Sequence, residues 1–279
     1  MNVPGFVSVA ATITKNRIVR MMRYTGVIGL GLCIATDAAA FFDYAPIDFP
    51  KDFPANYGVG PDNPGFDAFP EGLITSAQGV PFNAGPIGGN SIWCPGGCAG
   101  TGTDGFYSMT APVGLSGIHT VYTLMNTTWG ATGEERATVE FKFEGVATPY
   151  YAKLEDGNHL RDAGLLWNNT INGVNTVKAF DLPVGVDPHP FVIDMQAFAI
   201  PEALWDKKLT GIVFSDHRSL FQHGLLLRGI TVSTLDHVTP GAISIIPGIP
   251  EPETYALLLA GLSLVGFITR RKSKSHIFE

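Results

Sequence analysis

The chain has 279 residues, 18 Lys and Arg against 25 Asp and Glu, and a formal charge of −7. The charge is segregated: residues 41–249 carry 10 basic and 21 acidic side chains, a difference of −11, while both ends are basic. An acidic body excludes nucleic acid as a partner, because phosphates need a basic face, and argues against lying on anionic lipid. With 33 Gly and 20 Pro, the composition favours turn-rich β-structure in one domain with a sizeable core.

Residues 1–36 contain no Asp or Glu but carry Lys15, Arg17, Arg20 and Arg23. A short apolar run, Tyr24 to Ala35, follows, and then Ala38-Ala39-Ala40. A basic region, an apolar region and an A-x-A site form a secretory signal peptide over residues 1–40, cut between Ala40 and Phe41. Met21 or Met22 is an alternative start. Export leaves Cys94 and Cys98, in Cys94-Pro95-Gly96-Gly97-Cys98, in an oxidising compartment, where a disulfide is the default.

The body, residues 41–238, reads as an all-β antiparallel sandwich or jelly roll of roughly ten strands. Phe41 to about Pro70 is an irregular Pro- and Phe-rich arm. Gly72–Ala77 reads as a first strand, and Pro81–Thr103 as a long Gly/Pro loop. Further strands are expected at Phe106–Thr110 and Gly117–Thr127, with Ile118, Tyr122 and Leu124 on one face. The cleanest alternation runs from Ala137 to Glu144. It places Ala137, Val139, Phe141 and Phe143 inward and Thr138, Glu140, Lys142 and Glu144 toward water, as in a sheet with one wet face. Tyr150–Leu154, Val174–Phe180, Phe191–Ile200, Leu209–Ser215 and Leu225–Val232 complete the set. Pro201–Trp205 reads as the only short helix. Residues 239–249 are expected to be a linker.

No sequence constellation points to catalysis. The six body histidines show neither H-E-x-x-H nor H-x-x-x-H spacing, and no G-x-S-x-G elbow occurs. His119 reads as a surface or sheet-face residue. Glu140 and Glu144 share a strand face but read as solvated. Asp156, Asn158 and Asp162 form the best oxygen cluster; it reads first as a hairpin turn and second as a calcium loop. Trp129, Tyr150, Tyr151 and Trp167 are candidates for a sugar-stacking platform, with core packing the competing use. Arg161 and Asp162 are placed to fix a loop by charge-assisted hydrogen bonds.

The end of the chain carries the most specific signal. Pro250-Glu251-Pro252 precedes an uncharged apolar run, Tyr255 to Thr269, and then Arg270, Arg271 and Lys272. As a helix the run would reach roughly 22 Å, short for a span but able to anchor with local thinning. The basic cluster marks the cytoplasmic side. In this order the segment, residues 250–274, resembles the PEP-CTERM sorting tail of Gram-negative bacteria. That resemblance implies processing by an exosortase-like enzyme at Pro250-Glu251-Pro252. It also implies a single C-terminal transmembrane anchor in the precursor, and a role at the cell surface or in an exopolysaccharide matrix. Blocks at residues 157–162 and 169–173 are similar to blocks in uncharacterised ectodomains with the same tail. The function expected is a non-catalytic, carbohydrate-binding surface or matrix protein; the alternative is a secreted hydrolase acting on exopolysaccharide.

Overall fold

The computed structural model describes residues 43–48, 70–85, 92–94, 105–128, 132–165, 169–182, 191–218, 224–236, 241–248 and 259–265. The chain divides into two units, Met1–Ala38 and Ala39–Glu279, and every described residue lies in the second. The signal region with Ala38 and Ala40 falls outside the described residues.

Segments rich in β-branched, aromatic and aliphatic residues form the strands: β1 (Ala45–Ile47), β2 (Leu73–Thr75), β3 (Pro81–Asn83), β4 (Gly105–Leu115), β5 (Thr120–Thr127), β6 (Glu135–Phe143), β7 (Tyr150–Glu155), β8 (Thr176–Asp181), β9 (Val192–Ala199), β10 (Leu209–Arg218), β11 (Leu225–Ser233), β12 (Ile243–Ser244) and β13 (Ile246–Pro247). The expected short helix is a single 3-10 turn, Glu202–Leu204, with Pro201 at its N-cap.

Two sheets pack face to face. One has the order β1-β11-β5-β9-β12 with β8 also on β9; the other runs β13-β7-β6-β10-β4. Neither closes into a barrel. From β4 to β11 only β6–β7 and β8–β9 pair as consecutive neighbours, so every other step crosses between the sheets. The shared core unites Val139, Phe141, Ile212 and Phe214 of one sheet with Val121, Met125, Phe198 and Leu227 of the other. Phe141 meets Phe198 across the gap with ring centroids 5.5 Å apart.

The two sheets differ in their outer faces. In β6 the expected alternation holds: Ala137, Val139, Phe141 and Phe143 are buried, Thr138 and Glu140 half-buried, Lys142 exposed. This sheet has one wet face. In contrast, β5 and β11 are buried at every position and β9 at all but its last, so the first sheet is covered on both sides. The cover is the β2–β3 hairpin. Its Val80 and Phe82 press onto Tyr122, Leu124, Ile193, Met195 and Ala197 in a second apolar layer. Gly229 makes room for it, since a Cβ there would lie 3.0 Å from Phe82 Cδ1.

Three expectations are corrected. Ile118 does not share a face with Tyr122 and Leu124. It lies before β5, beyond the turn at Gly117 (φ +74°), so strand parity does not reach it, and it joins the inter-sheet core. Residues Pro81–Asn83, expected in a loop, form β3. The stretch expected to be linker supplies β12, parallel to β9, and β13, antiparallel to β7, because Ile243 and Ile245 are apolar enough to bury.

Candidate functional site

The register defines two ends. Leu115, Phe143, Leu209, Tyr150 and Pro247 gather at one, from which the tail departs. Gly105, Arg218, Glu135, Glu155, Thr127 and Leu225 mark the other.

At the tail end, Gly248 donates its N–H to the Pro149 carbonyl at 2.8 Å, and its missing Cβ would sit 2.5 Å from Tyr151 Cε2. Pro250, Glu251, Pro252, Arg270, Arg271 and Lys272 lie outside the described residues. Beyond them, residues 259–265 are helical, with Leu259, Leu262, Leu264 and Val265 exposed. Among the described residues no helix is long and apolar enough to cross a membrane, so the expected span is seen only as this short piece. At the same end His119 stacks on Trp205 at 3.7 Å between ring centroids, and its Nδ1 lies 3.3 Å from Asp236. His119 is thus half-buried between loops rather than on a strand.

The far end is closed by a buried polar plug. Residues 155–165 fold over it, with Thr127 donating to the Arg161 carbonyl and Ala163 to the Thr127 carbonyl, both at 2.9 Å. Arg161 grips Asp194 through Nε at 2.7 Å and Nη2 at 2.6 Å, and Asn126 Nδ2 donates to the same carboxylate at 2.8 Å. Gln196 Nε2 donates to the carbonyls of Met125 and His159. Beside them Arg136 donates from Nε and Nη2 to Asp156 Oδ2 at 3.1 and 3.0 Å, with both side chains buried. Burial raises the carboxyl of Asp156 to about 6, outweighing the opposing pull of Arg136, and raises that of Asp194 despite Arg161 and Asn126. Burial also lowers His159, consistent with its Nδ1 accepting the Glu155 N–H.

These contacts show where the proposed oxygen cluster goes. Asp156 is taken by Arg136, Asn158 exchanges side-chain hydrogen bonds with Glu155 and Asn172, and Asp162 Oδ1 accepts the Gly164 N–H. Gly157, at φ +82°, makes the turn. Among the described residues no group of three His, Cys, Asp or Glu side chains is arranged to hold a metal.

The aromatic candidates divide. Tyr150 and Tyr151 are successive on β7 and so point to opposite faces. Tyr150 packs edge-on against Phe143 at the core, with centroids 6.2 Å apart. Tyr151 lies on the wet face, in a register row with Ile246, Glu140, Val213 and Thr110. Around it are the pairs Glu140–Lys142 at 3.3 Å and Lys153–Glu135 at 2.8 Å, and Thr138 within 3.1 Å of His217 Nε2. Trp129 and Trp167 lie outside the described residues, as does Cys98; Cys94 is buried.

Sequence reasoning missed Asp194, Asn126 and Arg136. Asp194 had a readable signal: a carboxylate inside the apolar run Val192-Ile193-Asp194-Met195 implies a buried partner. Arg136 did not. Strand parity puts it on the wet face, and only the bulge between Glu135 and Ala137 turns it inward.

Comparison with protein-family models finds the PEP-CTERM protein-sorting motif over residues 248–272. No curated protein and no solved structure matches the chain. The motif makes this an exosortase substrate, a secreted protein that is membrane-anchored as a precursor. Its matched residues begin at Gly248, the same residue that is hydrogen-bonded to the sandwich.

Proposed function

We propose that the chain is a non-catalytic cell-surface or exopolysaccharide-matrix protein, freed from its membrane anchor by an exosortase-like enzyme, and that it binds carbohydrate on the wet face of the β4–β10–β6–β7–β13 sheet. The observation that carries the first part is the sorting motif, residues 248–272, directly following the last strand. Signal cleavage after Ala40 and a Cys94–Cys98 disulfide belong to the same exported reading; Cys94 being disulfide-bonded supports the latter.

The sugar reading is supported by the contrast between the faces. The first sheet is covered by the hairpin, whereas this one leaves Tyr151 beside carboxylate, amine and hydroxyl groups. An aromatic face with flanking polar groups suits the apolar and hydroxylated sides of a sugar. A hydrolytic carboxylate pair has no such support. Glu140 stands on β6, whereas Glu144 lies in the turn past its end at Phe143, so the two do not share the strand face that the sequence suggested. Glu140 is moreover paired to Lys142.

Replacing Pro250, Glu251 and Pro252 with alanine in the native host is expected to leave the precursor in the membrane fraction, with no shortened form released. Release of the normal shortened form by that variant would overturn the sorting role. For the face, Tyr151→Ala in the released protein is expected to weaken binding to the host's exopolysaccharide about tenfold, the size of a lost stacking contact. Undiminished binding would remove the wet face from the reading.

A further inference from the structure

We propose that β13 is a releasable clasp: it rests on β7 in the folded domain and is handed over, as an extended strand, to the enzyme that processes the sorting motif. The proposal rests on the exosortase-substrate reading above and adds a step to it.

Four observations carry it. First, the fold runs into the motif without a spacer. Gly248, the first matched residue, is held by the Pro149 carbonyl, and only Ile249 separates it from Pro250. Two residues of chain reach at most about 7 Å, so the sequence leaves little slack between β13 and the first proline of the signal. Second, the anchoring of this stretch is graded. Ile243 and Ile245 are 7 % and 5 % exposed and sit in the core, whereas Ile246 is 59 % exposed and Pro247 is exposed too. Third, β13 is two residues long and pairs with β7 alone, at the edge of its sheet. Pro247 stands at the position whose N–H would face away from β7, so the pairing rests on Ile246 opposite Tyr151 and on the Gly248 hydrogen bond. Fourth, Gly248 packs so closely on the Tyr151 ring that no larger side chain fits there, which marks a designed contact rather than a passing one.

An enzyme that acts on a chain segment binds it in extended form, by strand-like main-chain hydrogen bonds over several residues. Residues just before Pro250 therefore have to leave β7 and pair with the enzyme instead. A short, exposed edge strand opens at low free energy, while the core-buried isoleucines behind it keep the domain closed. The clasp thus limits how fast the motif is engaged without exposing the core.

Two full-length variants test this in the native host, with pulse–chase detection of the shortened form. Ile246→Pro lies outside the motif and removes a strand N–H from β13. A six-residue Gly/Ser spacer between Gly248 and Ile249 leaves β13 docked, keeps Pro250 to Lys272 contiguous, and supplies the reach that release would otherwise give. Each is expected to speed processing about fivefold, the factor one backbone hydrogen bond is worth. The two combined are expected to gain no more than either alone. If Ile246→Pro and the spacer leave the rate unchanged while the wild type is processed, the clasp is refuted and the sorting role stands. A spacer that slows processing refutes it as well, since the enzyme would then be docking on the folded end. A wild type that is never processed removes both readings together.

Discussion

Arg161→Ala is expected to destabilise the folded domain by about 3–5 kcal/mol, the cost of leaving a buried charge without its partner. For a domain of this size that is a fall of about 10 °C in melting temperature. The argument rests on burial: the Asp194 side chain is fully buried and that of Arg161 only 12 % exposed, with two charge-assisted hydrogen bonds between them. The loss is not that of a surface ion pair, because water cannot replace the guanidinium at Asp194. A second substitution separates this from simple truncation. Adding Asp194→Asn removes the stranded charge while keeping an oxygen for Asn126, and is expected to return about 1–2 kcal/mol. The Arg161→Ala penalty should also shrink in acid, where the carboxyl of Asp194, already raised by burial, takes up its proton. Thermal melts of the wild type, Arg161→Ala, Asp194→Asn and the double variant at two pH values check all of this. Strictly additive losses, independent of pH, would mean that the plug is held by backbone contacts alone.

Asp156 is expected to set a second, opposite-looking dependence on pH. Its carboxyl stands at about 6 in the folded state against 3.8 as the ordinary value, chiefly because burial disfavours the charge. A carboxyl raised on folding contributes stability that is full below 3.8 and is lost as the pH rises through about 6. The gap between the two values corresponds to about 3 kcal/mol. Asp156→Asn carries no titrating proton and keeps an acceptor for Arg136. Relative to the wild type it should therefore gain about 2 kcal/mol between pH 4 and pH 7, most of that gap. The charge of Glu134 adds in the same direction, and Arg136 opposes it. A wild-type minus variant difference that is flat across that range, or of opposite sign, would contradict the account. Denaturant unfolding at several pH values provides the measurement.

Both predictions concern residues at the end of the sandwich opposite the sorting tail. The loop over that end, residues 155–165, is where the sequence invited a calcium reading. One oxygen of each carboxylate accepts from a neighbouring donor: Asp156 Oδ2 from Arg136, Asp162 Oδ1 from the Gly164 N–H. Asn and Asp residues serve turns and caps as readily as cations, so composition alone does not separate the two uses. The same ambiguity applied to Tyr150 and Tyr151. Adjacent in sequence, they stand on opposite sides of a strand, one in the core and one in the wet row.

What the sequence determined by itself were the features written in local order. The sorting motif is contiguous, so proline, glutamate, apolar run and basic cluster could be read without any fold. The β6 alternation was equally plain, because one side of that sheet meets water and a period of two leaves its trace. Tertiary structure alone decided the rest. β5 and β11 are buried on both faces, so their side chains carry no alternation to read. The bulge at Arg136 inverted one position that parity had assigned to solvent. Ile243 and Ile245 became part of the core between the sheets, though nothing in eleven residues of apparent linker announced their partners. The physical reason is the same in each case: local periodicity records contact with water, whereas pairing with residues a hundred positions away is settled only when the two sheets meet.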